Sequence, residues 1–230
     1  VNVSTREDVM KAYESAREHR RHILVERFMP GHDFRFLVIG KQLVAAARRD
    51  PAQVIGDGTH NIKELVDIVN ADPRRGTGHE SSLTRIRFDD IAVAHLAKKG
   101  FTPETVPAKG ERVLLRNNAN LSTGGTATDV TDEVHPELAA CAVAAAQTVG
   151  LDIAGIDVVC QTVQEPLEAQ GGGIVEVNAA PGLRMHLTPS FGKGRAVGEA
   201  IINTMYPAQD NGRIPVVAVA GTNGKTTTVQ

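Results

Sequence analysis

Apolar residues recur along this chain in two rhythms, and the places where the rhythm changes mark its elements. Near the start, Val9, Met10, Tyr13 and Ala16 share one helical face behind Ser4 and Glu7, which have capping-box spacing; the pattern predicts a helix from residue 5 to about 20. It ends in the basic cluster Arg17 to His22, where cations favour a helix C-terminus. Ile23 to Phe28, Phe34 to Ile39 and Gln42 to Arg48 follow as three short runs separated by Met29-Pro-Gly-His32 and Gly40-Lys41, a pattern that reads as an antiparallel meander. Ile62, Leu65, Val66 and Val69 predict a short helix, residues 89 to 100 another, and Arg112 to Leu115 a short strand. Between these the chain is polar and broken by Asp72-Pro-Arg-Arg-Gly-Thr-Gly78, so residues from about 58 to 112 read as a loop-rich, mobile excursion over a site. Its Arg74, Arg75, His79 and Arg85 would either meet an anionic polymer or be solvated.

The second half is more regular. Pro136 opens a helix whose stripe is Leu138, Ala139, Ala142, Val143, Ala146 and Val149, and Gly150 closes it. Ile153 to Cys160 and Ile174 to Asn178 read as strands joined by a turn from Gln164 to Gly173; Pro181-Gly182 breaks the second. A helix from about Gly194 to Met205 turns Val197, Ala200, Ile201 and Met205 inward. Pro207 to Gly212 reads as an interdomain linker, after which Ile214 to Ala220 forms a buried-type strand running into a glycine-rich loop.

Composition narrows the class. A chain of 230 residues supports one large domain or one and a half smaller ones. Aromatics make up 3% and tryptophan is absent, so the core is expected to be built from Ala, Val, Ile and Leu. A net charge of −2 argues against a nucleic-acid partner, and no apolar run reaches the roughly 20 residues of a membrane span. Cys141 and Cys160 stand far apart without metal-ligand spacing, which points to a reducing, cytoplasmic setting. Both ends read as cuts through a larger protein.

The candidate chemistry is acidic. Asp157 lies inside an apolar strand, and Glu176 and Asn178 sit two apart on the next, facing the same side. If the two strands form a hairpin, three oxygen-bearing side chains converge, a donor set suited to Mg²⁺. The bland alternative is that Asp157 caps a turn and Glu176 pairs with an arginine. A carboxylate in an otherwise apolar strand is costly to bury unpaired, which favours the metal reading.

Gly155-Ile-Asp157-Val-Val, followed by Glu176-Val-Asn178-Ala-Ala-Pro-Gly182, resembles the metal signature of the ATP-grasp ligases, above all the branch containing glutathione synthetases and the ligase that adds glutamate to a ribosomal protein. The resemblance implies an α/β fold of the α+β ATP-grasp kind, mostly antiparallel, with Asp157, Glu176 and Asn178 holding Mg²⁺ against ATP. It further implies that Ile23 to Phe28 is the adenine-binding hinge, with backbone near Glu26 and Phe28 reading adenine and Asp33, seven positions beyond Glu26, reaching the ribose. Arg35 and Arg116 fall where this branch places arginines facing substrate and phosphate; a surface salt bridge is the alternative for each. The family's own glycine-rich loop and two phosphate lysines would precede Val1, so the 230 residues alone are expected to be inactive.

Ala220-Gly221-Thr222-Asn223-Gly224-Lys225-Thr226-Thr227 resembles a second family, the Mur ligases, with Lys225 on β/γ-phosphates and Thr226 on Mg²⁺; Val219 stands where the plain Walker pattern has glycine. The two together imply residues 1–209 as the C-terminal portion of an ATP-grasp domain, with 1–22 ending a preceding subdomain. Residues 210–230 would be linker, first strand and phosphate loop of a Mur-like domain. That arrangement is similar to ligases that elongate a primer or growing polymer. Such enzymes add aspartate to the backbone, attach arginine to each side-chain carboxylate, and act as homo-oligomers. The alternatives are another ATP-grasp carboxylate–amine ligase, such as a glutathione synthetase or glutamate-adding ligase, and a non-catalytic nucleotide-binding module. A phosphate-loop motor would require the metal signature to be coincidence.

Overall fold

The computed structural model describes residues 3, 5–77, 81, 83–206, 210 and 212–229. Its centre is a five-stranded sheet formed by β1 (His32–Ile39), β2 (Gln42–Asp50), β7 (Thr126–Asp129), β8 (Ile153–Cys160) and β9 (Gly173–Asn178), ordered β7-β2-β1-β8-β9. Every neighbouring pair runs antiparallel. Side chains alternate across a strand, and here that alternation separates two unlike faces. Phe34, Phe36, Val38, Ala46, Ala154, Ile156 and Val158 point to one side, where helix α4 (Pro136–Val149) covers them with Leu138, Ala142 and Ala146. Pro136 begins α4 and Gly150, at φ 79°, ends it as predicted.

The opposite face is divided along its length. Leu37, Ile39 and Ala45 pack under α7 (Val197–Met205) with buried Val197. One and two alternations toward the N-terminus of β1, the same face carries Arg35 and Asp33 instead, so half of it is dry and half charged.

A second core lies outside this sheet. The strands β3 (Gln53–Ile55) and β6 (Arg112–Leu114) pair antiparallel and pack with α2 (Ile62–Asn70) and α3 (Asp90–Ala97) around Val54, Ile62, Leu65, Val66, Leu96, Val113 and Leu115. The short parallel pair β4 (Arg75–Gly76) and β5 (Leu83–Thr84) completes it. What its polar sequence predicted to be a loop-rich excursion has a core of its own, in which its Ile62, Leu65, Val66 and Leu96 meet Val54, Val113 and Leu115 of the strands at either end. His79 lies outside the described residues.

Two expected strands do not form. Ile23 to Phe28 is extended but joins no ladder, and Leu24, Val25 and Phe28 are exposed, so the meander reduces to the hairpin β1–β2. Ile214 to Ala220 likewise pairs with nothing among the described residues, and Val216 and Val217 stand open to solvent. A β-strand is defined by the partner that takes its backbone groups, and apolar composition alone supplies none. The first helix, α1 (Arg6–His19), is capped by Thr5, whose Oγ1 accepts from the Asp8 amide at 3.1 Å; Ser4 lies outside the described residues. The turn after β8 contains α5 (Leu167–Gln170), and the linker predicted at Pro207 to Gly212 falls mostly outside the described residues.

Asn61 caps α2 in a full capping box, its side chain accepting from Glu64 N and the Glu64 carboxylate accepting from Asn61 N, each at 2.9 Å. Asn61→Ala is expected to cost about 1 kcal/mol and to lower the thermal midpoint by about 2–4 °C with unchanged far-ultraviolet circular dichroism.

Candidate active site

A single register row crosses the charged half of the sheet: Asp129 on β7 opposite Ala47 on β2, Ala47 opposite Arg35 on β1, Arg35 opposite Asp157 on β8, and Asp157 opposite Glu176 on β9. Arg35 Nε lies against Asp157 Oδ1, and Arg35 Nη2 donates to Asp157 Oδ2 at 3.2 Å. Arg49, one alternation along β2, donates from Nη2 to the same Oδ2 at 3.1 Å and stands 3.9 Å from Asp33 Oδ1. The Asp157, Arg35 and Arg49 side chains are only 14%, 13% and 11% exposed. Charges this dry require partners, and each of the three has one.

Glu176 differs. It is exposed, and its carboxylate has no hydrogen bond or ion pair among the described residues. A β-bulge explains its placement: the β8–β9 register shifts between Asp157 and Val158, leaving Val175 unpaired and turning Glu176 directly across from Asp157. Asn178, opposite Gly155, donates from Nδ2 to the Gly155 carbonyl at 3.4 Å, which leaves its amide oxygen available. The hairpin predicted for these strands is therefore present, and Asp157, Glu176 and Asn178 share one face and adjacent rungs. Asp157 Oδ1 is buried and accepts no well-formed hydrogen bond, although Arg35 Nε touches it as an ion pair. Two carboxylates and an amide oxygen, one carboxylate without a partner, suit a hard cation; among the described residues, no cluster of three His, Cys, Asp or Glu does.

Gly155 makes room for this arrangement. A Cβ there would fall 2.7 Å from Pro181 Cβ and 3.1 Å from Arg35 Nη1, so the glycine in Gly155-Ile-Asp157 is needed for Arg35 to lie across β8.

Beside the row lies a cleft of about 440 Å³ lined by Leu24, Glu26, Phe28, Met29, Val159, Ile174 and Val175. Its walls are the unpaired extended segment on one side and the bulged end of β9 on the other, with Met29 seated over Gly173. Glu26 and Phe28 are thus in one cleft, and Asp33, the register partner of Val159, stands where that cleft meets the charged row. Burial holds the Asp33 carboxyl above its usual range; Arg49 opposes this and Asp157 adds to it.

Arg116 sits elsewhere. It is 7% exposed, donates from Nη2 to Asp89 Oδ2 at 2.5 Å, and borders a hollow of about 610 Å³ along α3 with His95, Lys98, Asn117 and Asn118. No contact among the described residues joins it to Asp157 or Arg35. The glycine-rich loop Gly221, Thr222, Asn223, Gly224 is also apart and exposed; it leads into α8 (Lys225–Val229), which contains Thr226 and Thr227. Lys225 Nζ folds back onto the Gly221 carbonyl at 2.5 Å, and Gly224 has φ 76°.

Two residues of the site escaped the sequence reading. Arg49 is the second arginine of an Ala-Ala-Ala-Arg-Arg-Asp run, and only the alternation counted back from Arg35 distinguishes it from Arg48, which faces the other side and bonds Asp50. His186, on α6 (Arg184–Leu187) just beyond Pro181-Gly182, is 2% exposed with Nε2 unpartnered, and carried no motif signal.

This sheet, with its oxygen-donor hairpin, arginines and flanking cleft, is the ATP-grasp fold, and the model of the RimK-like ATP-grasp domain matches residues 109–190. Over its whole length the chain is similar to cyanophycin synthetases, 48% identical to that of Crocosphaera subtropica and 47% to that of Trichormus variabilis, covering 27% and 26% of them. It spans about a quarter of the length of these curated relatives. A bifunctional glutathione biosynthesis protein of Clostridium perfringens is 39% identical over 88% of the chain and 26% of its own length. Among solved structures, a bifunctional glutathione synthetase from Pasteurella multocida superposes with a TM-score of 0.68 at 35% identity, over 89% of the chain and 28% of that structure.

Burial holds the His186 imidazole down at about 4, with the nearby Arg35 charge adding to the effect and Asp129 opposing it. The unfolded chain takes up this proton near 6.5 and the folded chain only near 4, so the contribution is complete above pH 6.5 and lost as pH falls toward 4. His186→Leu is expected to flatten that acid limb, by roughly 3 kcal/mol between pH 7 and pH 4, in urea unfolding followed across pH.

Proposed function

We propose that this chain provides the ATP-grasp site of an ATP-dependent carbon–nitrogen ligase of the cyanophycin synthetase kind. In that role it adds aspartate to the C-terminal carboxylate of a growing polymer. The observation that carries the reading is the row Arg35–Asp157–Glu176 with Asn178 one rung away, opening onto the cleft that holds Glu26 and Phe28. The similarity to cyanophycin synthetases extends over 100% of the chain, against 88% for the glutathione relative, and supports this substrate class over tripeptide synthesis.

A carboxylate is a poor electrophile. Its oxygen attacks the γ-phosphorus of ATP, ADP leaves, and an acyl phosphate forms; the aspartate amine then attacks the acyl carbon, phosphate departs and an amide remains. Such chemistry asks the protein for positioning and charge compensation. Asp157, Glu176 and Asn178 are the residues that would hold Mg²⁺, which when bound neutralises phosphate charge. Arg35 and Arg49 lie beside them, and guanidinium forks suit carboxylate and phosphoryl oxygens alike. The cleft between residues 24–29 and 174–175, where Leu24, Phe28, Met29, Ile174 and Val175 stand beside Glu26, would take a base, and Asp33, opposite Val159 of its lining, would reach a ribose hydroxyl. On this reading Arg116 acts from the second core, and Gly221 to Thr227 belong to a Mur-like site that joins arginine to the new β-carboxylate.

In the full-length enzyme, Glu176→Gln is expected to reduce primer-dependent aspartate incorporation by at least about 10²-fold, as befits removal of a charge acting in the transition state. Arginine transfer to a pre-made aspartate-terminated acceptor should be retained. Radiolabel incorporation measures both; equal loss of the two would show that this row does not serve one half-reaction.

A further inference from the structure

Two arginines outside the charged row form a chain of hydrogen bonds that no step above uses. Arg184, on α6 two residues past Gly182, donates from Nη1 to the Ser81 carbonyl at 3.1 Å and from Nη2 to Thr84 Oγ1 at 3.0 Å. Its own segment follows Asn178 directly, while Ser81 and Thr84 belong to the second core, so these bonds tie the two cores together. Arg75, on the neighbouring β4, donates from Nη1 to the Thr84 carbonyl at 2.6 Å and lies 3.4 Å from the Gly124 carbonyl. Arg75 is 9% exposed and has no carboxylate within ion-pair distance among the described residues. A guanidinium that dry is expensive to keep, and its partners here are two main-chain carbonyls from different segments.

What those bonds reach is the loop Asn120 to Gly125. Gly124 has φ 97°, and a Cβ on it would come within 2.5 Å of Ile86 Cα; one on Gly125 would fall 2.8 Å from the Asp50 carbonyl. Both glycines allow the loop to lie directly on the strand segment 83–86 and the end of β2. Ile86 is in turn fixed by Asn70, whose Oδ1 accepts from Ile86 N at 2.7 Å and whose Nδ2 donates to Ile86 O at 3.0 Å. The loop thus rests on two supports: the end of β2, which pairs with Thr126 just after it, and the segment 83–86, whose Thr84 is bonded by both arginines.

We propose that Arg184 and Arg75 are positioning residues that couple the segment after the Glu176–Asn178 strand to the Asn120–Gly125 loop through Thr84. The loop is thereby held in one place relative to Asp157, Glu176 and Asn178. Neither arginine touches the reacting groups; they act through Thr84 and Gly124. The proposal rests on the ligase reading above only for its kinetic consequence, since the mechanical coupling exists whatever the reaction.

The test uses the full-length enzyme with Arg184→Ala, Arg184→Lys, Arg75→Met and the double variant Arg184→Ala/Arg75→Met. Hydrogen–deuterium exchange should rise at residues 118–126 in each single variant and in the double variant, with β8 and β9 as protected as before. Aspartate incorporation should lose about tenfold in kcat while KM for ATP stays within about twofold. Arg184→Lys, which keeps the charge but not the fork, should recover part of that loss, and the double variant should be no worse than about the poorer single one. Unchanged exchange at 118–126 would overturn the proposal, as would a kcat loss that follows only a fallen thermal midpoint with no recovery in the lysine variant. If the wild-type enzyme incorporates no aspartate, the ligase reading fails and the exchange result alone decides the coupling.

Discussion

The rest of this structure depends on one ion-paired carboxylate, Asp157, in the middle of a sheet. Its neighbours in sequence are apolar and face α4, so the strand is compelled to be central, and alternation then forces Asp157 onto the opposite face. A charge at 14% exposure persists only where counter-charges are delivered from adjacent strands. β1 delivers Arg35 and β2 delivers Arg49, which fixes the register of three strands at once; a slip of one residue would bury both guanidiniums among the phenylalanines of the other face. Gly155 and the bulge at Val175 are the local adjustments this requires, one admitting the arginine side chain and the other aiming Glu176.

The second core rests against this frame through few but well-defined attachments. Arg184 reaches Ser81 and Thr84, Arg112 Nη2 donates to Asp50 Oδ1 at 3.2 Å, and Gly125 lies against the end of β2. Polar contacts supply these attachments, in contrast to the apolar packing within each core. The two bodies can thus keep separate interiors while the loop between them is placed to within a hydrogen bond's length. The strap from Arg195 to Asp129 and Asp132 performs the same task for the start of α7, and those bonds outweigh burial to hold the Asp129 carboxyl below its usual range.

Where the sequence was legible, short-range geometry decided the outcome. The α4 stripe up to Ala146, beyond which Val149 is exposed, the proline and glycine ends of α4, the 153–160/174–178 hairpin and the shared face of Glu176 and Asn178 follow from period and turn chemistry alone. It was misleading where structure depends on a partner remote in sequence. Ile23–Phe28 and Ile214–Ala220 have strand composition but no ladder, and the core of the second body is assembled from residues 52–54, 62–66, 96 and 113–115, whose connecting segments look polar. Arg49 was invisible for the same reason: adjacent arginines differ only in parity, and parity acquires meaning once β2 is registered against β1. His186 illustrates the limit further, since burial at 2% exposure is a property of what surrounds α6 and leaves no trace in Arg-Met-His-Leu.

Charge arithmetic at the row links the fold to the proposed chemistry. Asp33, Asp157 and Glu176 bring three negative charges against two positive from Arg35 and Arg49, so the row carries one carboxylate more than its guanidiniums neutralise. A divalent cation entering alone would leave excess positive charge in a part-buried site, and a phosphate entering alone would confront Glu176 and Asp157. Either is penalised by the same desolvation that holds the ion pairs together. A cation arriving with polyphosphate would come nearer to balance: Asp157 and Glu176 would hold the metal, and Arg35 and Arg49 would face anionic oxygens. On the proposed function, the ion pairs around Asp157 would favour the metal–nucleotide complex over either component, whereas a bare carboxylate cluster would bind the metal by itself.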